Sequence, residues 1–94
     1  MFQHIVFFRF RDPEECVPVV GEKLLALKDK IPEIVDIRFG ADILHSERSS
    51  DAALLVTFRN EADYRVYDGH PDHAEVRKYI HEHRTESRTV DFEF

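Results

Sequence analysis

Gln3-His4-Ile5-Val6-Phe7-Phe8-Arg9-Phe10 is the stretch on which the reading of the fold turns. It is dense in β-branched and aromatic residues, which suit a pleated, half-buried surface. Successive side chains of a strand point to opposite faces. Val6, Phe8 and Phe10 therefore share one face with His4, while Ile5 and Phe7 occupy the other. Both faces are apolar. The eight Phe residues, at positions 2, 7, 8, 10, 39, 58, 92 and 94, all fall in or beside predicted strands, so the pattern extends across a sheet. The chain has helices enough to cover only one face, and a wet second face would expose an apolar patch larger than monomers usually tolerate. The expected cover is a second copy of the same sheet, packed as a two-fold homodimer.

Outward from this strand, Asp12-Pro13 is a helix-start signal, with Asp as N-cap and Pro at the first helical position. Cys16, Val17, Val20, Leu24, Leu27 and Ile31 fall on one 3.6-period stripe, predicting a helix to about Lys30 that Pro32 stops. Pro18 either kinks this helix or marks a later start near Val17. Strands are predicted at 35–39, ended by Gly40, and at 52–59, with the polar stretch 45–50 as a loop between them. Asn60, with Asp63 three residues on, resembles a capping box opening a short helix to about Asp68. Gly69 and Pro71 break it, a last helix runs from about Asp72 to His83, and 89–94 closes the chain as a strand. The order βαββ, broken helix, β is that of an α+β, ferredoxin-like split βαβ arrangement with a four-stranded antiparallel sheet. The first and last strands are expected to meet as its outer strands.

Composition narrows the function classes. The 94 residues, 43% hydrophobic and 12% aromatic, make one folded domain over 1–94, near the small end for a self-sufficient core. A formal charge of −6, with Arg and Lys interleaved among Asp and Glu, argues against nucleic acid as partner. Cys16 is the single cysteine, which fits a reducing compartment, and its place on the helix stripe makes it a core residue. The apolar run 5–8 is too short, and too closely followed by Arg9 and Arg11, for a signal peptide or membrane span. A soluble cytoplasmic protein is expected.

Chemistry concentrates at Tyr67-Asp68-Gly69-His70-Pro71-Asp72-His73, which holds a phenol and two imidazoles within seven residues. Tyr and His are side chains that donate, accept and relay protons. His73 opens the last helix, where the dipole disfavours imidazolium and keeps the ring neutral and able to accept a proton. It equally reads as a His that packs the helix start and binds nothing. Tyr67 follows Tyr64 by about one turn, so both can face the sheet, and a buried Tyr is usually a core ring whose hydroxyl finds one partner. His70 precedes Pro71, is biased to extended backbone, and reads as a residue shaping the helix break. His4, on an apolar strand face, needs a partner, and Asp91 of the last strand is the natural one. A carboxylate orienting an imidazole serves stability and catalysis alike. No metal site is expected, because Pro71 takes His70 out of helical register and His81 projects away from the His73 stripe. No cofactor is expected either, in the absence of a Gly-rich phosphate loop or nucleophile elbow.

The opening strand from His4 to Phe10, Ile31-Pro32-Glu33-Ile34 after the first helix, Gly40, Tyr67-x-x-His70-Pro71-x-His73 and the closing Val90-Asp91-Phe92 together resemble the stress-responsive α/β-barrel domain family. The resemblance covers essentially the whole chain and implies a dimeric α/β barrel of two ferredoxin-like chains. The best-understood enzymatic relatives are plant polyketide cyclases of the olivetolic acid cyclase type, which bind a linear polyketide thioester between helices and sheet. That resemblance implies a general-base role for His73, an orienting phenol at Tyr67, and pocket-lining or supporting roles for His4 and Asp91. Those cyclases carry aromatic residues on the first helix where this chain has Val20 and Leu24.

Two functional readings follow. In one, a pocket for a small apolar or polyketide-like ligand uses Tyr67 and His73 in cofactor-free proton transfer, as in cyclisation or isomerisation. In the other, the barrel is non-catalytic and the same residues only hold the fold together. An open cavity reaching both Tyr67 and His73 discriminates between them.

Overall fold

β1 spans Phe2–Phe10 and lies inside the sheet of the computed structural model, which describes residues 1–94. Its neighbours are β3 (Ala52–Phe58) on one side and β4 (Arg84–Glu93) on the other, with β2 (Asp36–Ala41) beyond β3. Every pairing is antiparallel and the order is β2-β3-β1-β4. The connections carry α1 (Pro13–Leu25), α2 (Glu61–Asp68) and α3 (Pro71–His83), with one turn of 3₁₀ helix at Ala26–Asp29 extending α1. This is an α+β, ferredoxin-like fold.

Several boundaries differ from the sequence expectation for physical reasons. β1 and β4 do meet, but β1 is internal: its two apolar faces and two paired edges go together, and of the two strands β4 is the one at an edge. β4 begins at Arg84, directly after α3, instead of at residue 89. Its first residues pair with β1 and are polar on both faces, towards solvent and towards the space under α3, so no apolar alternation marks them. β2 starts at Asp36 and runs through Gly40, because the ladder with β3 continues to Ala41 opposite Ala52. α1 starts at Pro13, where the Asp12 carboxylate accepts a hydrogen bond from the Glu15 N–H, so the later start near Val17 does not occur. Pro18 sits within the helix with its ring exposed. The Asn60 side chain accepts from the Asp63 N–H at 2.9 Å and starts α2. α3 begins at Pro71, one residue before the expected Asp72.

The core lies between one sheet face and the helices. Phe2, Val6, Phe8 and Phe10 of β1 and Leu54, Val56 and Phe58 of β3 meet Val20 and Leu24 of α1, Leu27 and Ile31 beyond it, and Tyr67 of α2. α3 contributes only Val76 and Ile80 to this core and packs against α1 and α2 more than against the strands. The stretch of sheet next to β4 is therefore thinly covered on the helix side. On the opposite face, Phe7, Leu55, Val90 and Phe92 are exposed, and Ile5 lies among them as the partner of both Leu55 and Val90. No helix is long and apolar enough to cross a membrane.

One close approach fixes how α1 lies on the sheet. A Cβ at Gly21 would stand 2.8 Å from Cδ2 of Phe39, so the bare backbone is what lets the helix press on that ring. Helix propensity alone favours Ala over Gly by about 1 kcal/mol. Overpacking a well-filled contact costs about 1–3 kcal/mol. Gly21→Ala is expected to lower stability in denaturant melts, against the propensity trend, and to cost less in a Phe39→Leu background.

Candidate functional site

The break between α2 and α3 builds the site. His70 is extended, as a residue before Pro must be, and its Nδ1 accepts the Asp72 N–H at 3.1 Å, capping α3. The turn brings His73 back over Tyr67, ring against ring, with centroids 4.2 Å apart and planes 27° from parallel. Nδ1 of His73 lies 3.2 Å from the Asp68 carbonyl. A carbonyl only accepts, so Nδ1 carries the proton and Nε2 carries the lone pair. Burial lowers the His73 pKa below its ordinary value, and the nearby Arg77 charge adds to this against the opposing Asp68 hydrogen bond. The ring is thus a neutral base at pH 7.

Tyr67 is wholly buried, and its hydroxyl has no hydrogen-bond partner. Burial first, then Tyr64 and Asp68, raises its pKa above the ordinary phenol range, so it stays protonated and keeps a proton to donate to an incoming oxygen or nitrogen. Tyr64 is shifted the same way, by burial and then by Asp68 and Asp91. His4 completes the floor. Its Nδ1 stands 2.5 Å from Oδ1 of Asp91, its direct partner across the β1–β4 ladder, so the carboxylate fixes the Nδ1–H tautomer. His4 also packs on Tyr64 at 4.9 Å and approaches Tyr67 edge-on at 6.2 Å.

These groups line one cavity of about 270 Å³ between α3, α2 and the sheet. Its apolar floor is Val6, Phe8, Leu24 and Leu54, and its polar end is His4, Tyr64, Tyr67 and His73. Val20 does not line it, although Leu24 does. Of the residues singled out in the sequence, His4, Tyr67 and His73 come together here. Asp91 stands behind His4 outside the lining, and His70 lies outside the cavity as the cap of α3. His81, expected to project away, lies on the cavity wall with Arg77 and Arg84. Ser87 and Thr89 face it from β4. The sequence signals for this wall are the spacing 73, 77, 81 along α3, with Arg84 just beyond it, and the alternation 87, 89, 91 along β4. The second is hidden because the polar first half of β4 carries no apolar period. No group of three His, Cys, Asp or Glu side chains converges in the fold.

A model of the Stress responsive A/B Barrel Domain matches residues 2–94. The chain belongs to this family. Among solved structures, a dimeric protein of unknown function with a ferredoxin-like fold from Bacteroides fragilis is 30% identical with a TM-score of 0.90, over 99% of this chain and 95% of that one. A dimeric ferredoxin-like protein of unknown function from Thermobifida fusca is 27% identical with a TM-score of 0.78, over 99% and 90%. A hydroxynitrile lyase from Passiflora edulis, 18% identical over 97% and 90% with a TM-score of 0.84, shares the fold of this A/B barrel domain. No curated protein matches.

Stability separates a site from a strut. A buried hydroxyl without a partner costs about 1–3 kcal/mol, so Tyr67→Phe is expected to leave the melting temperature unchanged or raise it. A loss above about 1 kcal/mol would mean the hydroxyl is held by the fold. His73 carries a pH signature. With its folded pKa lowered, the unfolded chain binds the proton more readily, so stability falls as pH drops from the unfolded pKa towards the folded one. His73→Gln is expected to flatten that part of the stability–pH curve, measured by melts between pH 7 and 4.

Proposed function

We propose that this barrel domain is a homodimer in which each chain holds a small-molecule pocket for cofactor-free acid/base chemistry. The observation that carries the reading is the Tyr67 hydroxyl, buried without a partner beside a neutral His73 at the end of an open cavity. Buried polar groups are nearly always hydrogen-bonded, and one left free at a cavity is poised for a ligand. His73 Nε2 takes a proton from a carbon next to a carbonyl, and the electron pair moves to the carbonyl oxygen. Tyr67 donates a hydrogen bond to that developing oxyanion. Return of the proton at another atom isomerises the substrate, and attack of the enolate on a second carbonyl closes a ring. His4, oriented by Asp91, supports the same pocket.

The second copy covers the open sheet face. Ile5, Phe7, Leu55, Val90 and Phe92 form an apolar surface that no element of this chain covers, and the relatives from Bacteroides fragilis and Thermobifida fusca are described as dimeric. Light scattering at micromolar concentration is expected to give twice the chain mass, and Val90→Glu to give a monomer. A wild-type mass of one chain would refute the dimer.

Proton abstraction is testable before the substrate is known. The protein is incubated with a metabolite extract in deuterated water, and deuterium uptake is read by mass spectrometry. Enzyme-dependent exchange into a carbonyl compound is expected, falling at least about 100-fold in His73→Ala, the usual scale of general-base catalysis. Exchange should be flat from neutral pH upward and fall below the lowered His73 pKa, where the base is protonated. No exchange from any component, in a folded protein, would leave the non-catalytic barrel as the reading.

A further inference from the structure

The wall of the cavity that runs from Asp68 and Arg77 to Arg84 has the opposite charge balance to the chain. The chain has 19 acidic against 13 basic residues, whereas Arg77 and Arg84 face this cavity with Asp68 as the one carboxylate, and His81 lies between them. Arg77 reaches Asp68 only at 3.5 Å, with both side chains about half exposed, so the pair holds the guanidinium weakly. Arg84 has no carboxylate partner and rests a guanidinium nitrogen 3.4 Å from Nδ1 of His81. Across the gap, Ser87 and Thr89 project from β4 on the side facing the helices, as ladder partners of Phe8 and Val6. Arg77 thus stands beside the Tyr67–His73 pair, and Arg84, Ser87 and Thr89 line the cavity beyond it.

We infer that this end is an anion subsite, and that the pocket takes a small organic carboxylate. The acid head is held by Arg77 and Arg84 and its carbon body lies on Val6, Phe8, Leu24 and Leu54. The inference rests on the pocket proposed above and names its substrate class. A guanidinium presents a planar pair of donors matched to a carboxylate, and the hydroxyls of Ser87 and Thr89 supply further donors. The cavity of about 270 Å³ is just below the usual range of ligand sites, which starts at roughly 300 Å³. It suits a short acid better than a long chain. The arrangement also orients the ligand: with Arg77 beside His73, a head held by the guanidinium groups brings the carbons next to it towards that ring.

The test is an NMR titration of the intact ¹⁵N-labelled protein with sodium hexanoate, its neutral isostere hexanamide, and inorganic phosphate. Hexanoate is expected to shift signals of His73, Arg84, Ser87 and Thr89, to bind at least about tenfold more tightly than hexanamide, and to weaken as salt is raised. Arg84→Gln and Arg77→Gln should each raise the hexanoate Kd about tenfold, with Arg84→Lys recovering part of the loss. Hexanamide binding as tightly as hexanoate at the same residues would remove the anion subsite while leaving the pocket in place. Phosphate shifting those residues as strongly would overturn the carboxylate assignment. If none of the three moves a pocket residue, the pocket itself fails and the inference falls with it. Because the ligand comparison is made on the wild type, it holds even if a variant is poorly folded.

Discussion

β1 is paired along both edges and apolar on both faces, and the rest of the molecule is arranged around that constraint. Its ladders with β3 and β4 satisfy the backbone polar groups, so its side chains alone decide what lies above and below the sheet. Above it, Phe2, Val6, Phe8 and Phe10 draw α1 and α2 down into a core. Below it, Ile5 and Phe7 join residues of β3 and β4 in a surface that the chain itself cannot cover. An internal strand of this composition commits the protein to two burial problems, and a chain of this length solves one of them.

The same constraint explains where the cavity is. α1 presses close because Gly21 admits the Phe39 ring, whereas α3 buries only Val76 and Ile80 in the core, with Tyr79 partly buried against it. β4 turns Ser87, Thr89 and Asp91 towards the helices, and such polar residues draw no helix onto themselves. The space left between α3 and β4 is the outcome of that mismatch. His4 is the one polar residue of β1 on the helix face, and it sits at the margin of this space with its carboxylate partner directly across the ladder. The apolar core and the pocket share a single strand face: Val6 and Phe8 belong to both, and His4 is its polar position.

Electrostatics then divide the roles within the pocket. Tyr67 and His73 stack on one another and are both withdrawn from water, yet burial acts on them in opposite senses because their charged forms differ in sign. The phenol is kept as an acid and the imidazole as a base. Both are neutral at pH 7, which is how an uncharged pair can hold proton-transfer chemistry in an apolar setting without a buried ion.

What the sequence determined by itself was local. The alternation along β1, the caps Asp12 and Asn60, the break at Gly69-His70-Pro71, and the closeness of Tyr67 to His73 all follow from residues a few positions apart. The pairing of His4 with Asp91 was also legible, since a polar residue on an apolar strand face demands a partner and the last strand offered one. Tertiary structure alone decided the rest. That β1 is internal, that β4 begins at Arg84, and that Arg77, His81 and Arg84 meet Ser87 and Thr89 across a gap depend on strand order and on the standoff of α3. An exposed polar edge strand carries no apolar period to announce itself. A cavity is a place where side chains fail to meet, and no local pattern encodes the distance between two elements that are brought together only by folding.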